Sequence, residues 1–119
     1  MTIPLHPVQV AAMYDCLRAF PPFDRWKLPL ADEVEFAVTA SPFFYGWHER
    51  KAGTHRIVVS SANVGRFDTL AMFVAHEMIH LYQSERGTTP RGNASHNAEF
   101  RRLAARVCSI HGFDPKVFV

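Results

Sequence analysis

Two histidines four residues apart with a glutamate between them, His76-Glu77-Met78-Ile79-His80, form the pattern HExxH. On a helix, residues at i and i+4 stack on one face, so His76 and His80 can send two imidazoles to a single metal ion. Glu77 then lies one step around the same rim. A carboxylate there stands beside a metal-activated water without being a ligand, which is the placement a general base needs. The chemistry is that of a zinc hydrolase, with a metallopeptidase as the leading reading.

The element that must carry the motif is a helix. From Asp68 to Ser84 there is neither Gly nor Pro, helix formers dominate, and Asp68 is a candidate N-terminal cap. Projected on a helical wheel, Leu70, Ala71, Met72, Val74, Ala75, Met78, Ile79 and Leu81 occupy more than half the circumference. His76, Glu77 and His80 share the rest with Phe73. So wide an apolar sector predicts a buried helix, and a buried glutamate between two histidines is costly unless a divalent cation compensates it.

A catalytic zinc takes three protein ligands and keeps a position for water, so a third ligand is required. His96 is the best candidate, sixteen residues after His80 and four before Phe100 on the expected inward face of a following helix. Glu99 is the rival, one turn further on, and is better suited to a hydrogen-bonding or surface role. The extended pattern HExxHxxGxxH is absent, because Gln83 stands where it requires Gly. Tyr45, Tyr82 and His111 are the candidates for stabilising an oxyanion.

Around this centre the chain reads as one α+β domain over residues 1–119. Apolar positions between His6 and Phe20 predict an amphipathic helix opened by Pro7 and closed by Pro21-Pro22. Segments Val34–Thr39, Phe43–Glu49 and His55–Ser60 predict strands, with Lys51-Ala52-Gly53 as a turn, and the expected sheet is a short antiparallel one with a hairpin. Its last strand, just before the HExxH helix, is the expected edge for an extended peptide. The stretch Gly87–Asn93 reads as an exposed mobile loop. A second helix is expected from His96 to His111, capped by Ser95 and stopped by Gly112 and Pro115, with Val117-Phe118-Val119 folding back on the core.

The motif pair His76-Glu77-Met78-Ile79-His80 and His96-Asn97-Ala98-Glu99-Phe100-Arg101 resembles the SprT-like zinc metallopeptidases, the family of the DNA-dependent protease Spartan. The likeness spans Tyr45 to Arg106, about half the chain. It implies zinc on His76, His80 and His96, Glu77 as general base, and a small zincin-like fold with a short sheet over the active-site helix. Asn97 departs from the family's Gly after the third His. The C-terminal four-Cys ribbon and DNA-binding extensions of some members have no counterpart here.

Composition limits the other classes. Hydrophobic residues make up 48% and aromatics 13%, including ten Phe, which argues against disorder. The net charge of +2 comes from scattered Arg and Lys, so nucleic-acid association is neither required nor excluded. Cys16 and Cys108 cannot build a Cys-based zinc site between them. Residues Met1 to Phe20 lack a secretory pattern and no run is long enough to span a membrane, so a reduced cytoplasmic protein acting on a protein or peptide substrate is expected. The alternative is a non-catalytic zinc-stabilised binding or regulatory module, which would need a fourth protein ligand such as His55, His111 or Glu99. A third reading is a hydrolase of a non-peptide bond, since HExxH specifies water activation and not substrate.

Overall fold

Pro7 at the first helical position and Val10, Met13, Tyr14 and Leu17 along one buried stripe make α1 (Pro7–Arg18) the helix that the spacing predicts. The computed structural model describes residues 5–64, 66–92 and 95–118. Two short 3₁₀ turns, Phe23–Arg25 and Ala31–Glu33, lead from α1 into β1 (Val34–Thr39). Then come β2 (Gly46–Lys51), β3 (Thr54–Ser60), α2 (Phe67–Arg86), α3 (Ala98–His111) and α4 (Pro115–Phe118). The result, among the described residues, is an α+β domain of four helices and one three-stranded sheet, with α1 and α2 packed on the sheet and α3 and α4 packed on α2.

The sheet is mixed, not antiparallel as expected. Its order is β1-β3-β2, with β3 parallel to β1 from Val34↔His55 to Thr39↔Ser60 and antiparallel to β2 from Gly46↔Val59 to Lys51↔Thr54. Alternation of side chains is the same in either direction, so it cannot report strand polarity. The chain leaves β1, crosses to the far side, runs along β2 and returns between the two. Ala52 and Gly53 make the hairpin, with φ of 52° and 83°, as a two-residue turn with both central residues left-handed requires. Because β3 is central, it offers no edge to a peptide, and that expectation is corrected to β2. Ile57, Val58 and Val59 are buried accordingly.

α2 runs through the middle of the molecule, packed by α1, β2, β3, α3 and α4. Val74, Ala75, Met78, Ile79 and Leu81 are fully buried, and each large aliphatic among them contributes about 1.5–3 kcal/mol on leaving water. Its N-cap is Arg66, not Asp68. Asp68 instead lies within the first turn, where its carboxylate accepts from Thr69 N at 2.9 Å and favours the positive end of the helix. Gly87, at φ 72°, closes the other end and donates to Gln83 and Ser84 carbonyls.

α3 also begins later than expected. Asn97, not Ser95, is its cap, its Oδ1 accepting from Phe100 N at 2.9 Å. His96 therefore precedes the helix and does not lie on its inward face. Of the tail expected to fold back on the core, Phe118 has no exposure and does so, whereas Val117 stays half exposed; Asn93 and Val119 lie outside the described residues. Cys16 is exposed and Cys108 buried, both as free thiols. Among the described residues no helix is long and apolar enough to cross a membrane.

Candidate metal centre

Helical spacing brings the rings of His76 and His80 to 5.0 Å between centroids, one above the other on α2. The segment entering α3 then lays His96 against both, 5.0 Å from His76 and 5.2 Å from His80. One ligand atom from each of the three lies within 4.8 Å of the others. Two Zn–N bonds at a tetrahedral angle need nitrogens about 3.4 Å apart, so the set would have to draw in by up to about 1.4 Å to hold a cation. Three imidazoles suit zinc and other borderline divalent transition metals; the donors alone do not choose among them.

The orientation of His76 is determined by a group that sequence reasoning missed. Its Nδ1–H donates to the Phe118 carbonyl oxygen at 2.6 Å, which leaves Nε2 bare and free to bind a metal. Nothing in a tail sequence marks which carbonyl will be used. Phe100, four residues after His96, packs its ring against all three histidines. It stacks on His96 at 3.8 Å and 3°, and on His80 at 4.6 Å.

Burial makes the three imidazoles neutral at ordinary pH. It lowers His76 to about 4 and His80 to about 3, the latter helped by its histidine neighbours, and it also lowers His96, with Arg101 adding to the effect. Glu77 is only 5% exposed, and burial alone pushes its carboxyl up to about 8. Among the described residues no donor hydrogen-bonds to it. A divalent cation at the three nitrogens would reverse that penalty and favour the carboxylate.

A cavity of about 510 Å³ opens between β2 and α2, lined by Gly46 to Arg50 of the strand, by His76, Glu77, His80 and Ser84 of the helix, and by Thr89, Pro90, Ser95 and His96 of the connection. β2 is thus the sheet edge beside the site. A Cβ on Gly46 would run into the Val58 carbonyl, so glycine is what lets β2 begin its pairing at the cavity wall.

None of the three oxyanion candidates lines the cavity. Tyr45 stacks on Phe73 at 4.5 Å, Tyr82 stacks on Trp26 at 4.3 Å while its hydroxyl accepts from Arg86, and His111 donates to the Pro21 carbonyl at 2.6 Å. Among the polar residues that do line it is His48, to which the sequence reading gave no role. In register His48 faces Ile57 and Arg50 faces His55, which places both histidines on the helix side of the sheet. His48 Nε2 and His55 Nδ1 share a hydrogen bond of 2.9 Å, and His55 Nε2 lies 3.2 Å from Glu85 Oε1. The alternation of β2 was the only available signal.

Glu99 is spent elsewhere. Its Oε1 accepts from Thr88 Oγ1 at 2.5 Å and from Gln83 Nε2 at 3.0 Å, bonds that hold its carboxyl below the usual range. Neither Glu99 nor His55 nor His111 joins the group of converging ligand atoms among the described residues. Family models and curated proteins give no match to this chain.

Proposed function

We propose that this chain is a zinc-dependent metallopeptidase of the zincin type, similar to the SprT-like family, that hydrolyses peptide bonds in protein substrates. One observation carries the reading: three convergent histidines and a buried Glu77, which accepts no hydrogen bond among the described residues, line a single cavity beside the free edge of β2. A structural metal site has no use for that carboxylate, and HExxH helices use it for water activation.

The residues that would hold the cation are His76, His80 and His96. When bound, it supplies Lewis acidity to the attacking water and to the substrate carbonyl. Glu77 accepts the proton of that water and delivers it to the departing amine, a transfer its dry position favours because burial strengthens local charge effects. The outer edge of β2 offers main-chain donors and acceptors to an extended peptide, which holds the backbone without reading much of its sequence. Nucleic acid is not needed for this chemistry, and Arg50 and Arg102, each half of a basic pair in the sequence, lie within 3.7 and 3.9 Å of Glu85 and Glu99.

The alternative, a non-catalytic zinc-stabilised module, calls for a fourth protein ligand, and none of its candidates joins the three histidines. The test is to incubate zinc-loaded protein with a mixture of unstructured polypeptides and identify products by mass spectrometry. Cleavage that chelator abolishes and zinc restores, and that Glu77→Gln loses while retaining its metal, supports a peptidase. Equal cleavage by Glu77→Gln removes Glu77 from the mechanism, and no cleavage by the loaded parent favours the module.

A further inference from the structure

His76 and His80 are fixed by their own helix, whereas His96 sits outside any regular element, so something else must hold it against the other two. Gln83 is placed to do so. It lies seven residues after His76, two helical turns along the same face of α2, and it has no exposure to solvent. Both amide hydrogens are used: Nε2 donates to Asn97 Oδ1 at 2.9 Å and to Glu99 Oε1 at 3.0 Å. Asn97 is the residue next to His96 and the cap of α3. Its Nδ2 donates to the Thr88 carbonyl at 3.2 Å, while Thr88 Oγ1 donates to Glu99 and Thr88 N donates to the Gln83 carbonyl at 2.9 Å.

The network therefore ties the metal-bearing face of α2 to both ends of the connection that carries His96. It is kept at a cost. Gln83 Oε1 is buried with no hydrogen-bond partner among the described residues, and a stranded buried carbonyl lowers stability. A leucine or methionine of similar size would avoid that loss. What the amide does that an apolar side chain cannot is to hold two acceptors, one on the α3 cap and one in its first turn, in one place.

We propose that Gln83 is a positioning residue for the metal centre, latching His96 into coordination through Asn97 and Glu99. The inference rests on the three-histidine centre and not on peptide hydrolysis, so a protein that binds zinc and cleaves nothing leaves it standing. Outer partners of metal ligands are typically worth about 10–100-fold in affinity, and that is the expected loss.

The experiment measures Zn²⁺ affinity by chelator competition and the Co²⁺ absorption spectrum in the parent, Gln83→Met, Gln83→Glu, His96→Ala and the double variant Gln83→Met/His96→Ala. Gln83→Glu keeps the shape but turns a carboxylate towards Glu99 and Asn97 Oδ1, so it serves where the apolar variant folds poorly. Either single change at Gln83 is expected to weaken zinc by about 10-fold or more and to alter the Co²⁺ spectrum. In the His96→Ala background Gln83→Met should cost nothing further, because its only route to the metal is gone. An unchanged spectrum and affinity, or losses that multiply in the double variant, overturn the latch. A parent that binds neither Zn²⁺ nor Co²⁺ overturns it together with the metal centre.

Discussion

The two halves of the candidate metal centre are built by different means. On α2, His76 and His80 are neighbours because a helix repeats every 3.6 residues, and their backbone is locked by surrounding core. His96 owes its place to a cap, a ring stack on Phe100 and a network reaching back to α2. Local geometry alone thus supplies two of the candidate ligands, and tertiary contacts supply the third. The helical half should tolerate change around it, while the loop half should respond to every partner it has.

The largest expected effect separates holding a metal from using it. Glu77→Gln should reduce peptide cleavage by about 10²–10⁴-fold while zinc content, read by mass spectrometry of the native protein, stays at one per chain. Loss of zinc in that variant would break the distinction between ligand and base. Next come the ligands themselves. His80→Ala should weaken zinc by more than about 100-fold, exceeding the effect of any outer partner, and His96→Ala should cost less because releasing the loop regains ordering entropy. Equal losses at the two positions, measured by chelator competition, would show that the loop is as rigid as the helix.

A smaller effect concerns the protein stripped of metal. Glu77, raised to about 8 from an ordinary 4.5, contributes stability that is fully present below 4.5 and is lost as the pH rises through 8. Denaturant melts of chelator-treated protein should therefore show Glu77→Gln gaining on the parent across that range, by at most about 1.4 kcal/mol per pH unit. The imidazoles run the other way. His76 and His80, lowered to about 4 and 3, contribute stability present above 6.5 and lost as the pH falls through those values, so His76→Gln should flatten the acid side. A parent whose gap to Glu77→Gln stays constant with pH would mean that Glu77 is already ionised without a cation. The smallest effect is expected of His48→Ala, which lines the cavity outside the ligand group and should leave zinc affinity within about a factor of two. A large loss would make His48 a fourth ligand and favour the non-catalytic module.

Much of this arrangement was legible in the chain. The HExxH helix, the downstream His96, the first and last strand segments and the buried return of Phe118 follow from period and spacing, which act over a few residues, whereas the middle strand, expected over Phe43–Glu49, runs from Gly46 to Lys51. The Asp68 and Ser95 caps were misplaced because several polar residues compete at a helix start and the winner depends on what the entering chain packs against. His48 escaped notice because a lone histidine on a short strand gains meaning only when its partner strand, and hence His55, is known.

By itself the sequence determined that two imidazoles and a carboxylate would share one face of a helix whose other positions are largely apolar, since helical periodicity and hydrophobic burial are properties of local order and composition. Only the tertiary structure decided the parallel pairing that makes β2 and not β3 the edge by the site. It likewise decided that the Phe118 carbonyl orients His76 and that Gln83 reaches Asn97 and Glu99. Those contacts join residues far apart along the chain, and their geometry exists only once the core has formed.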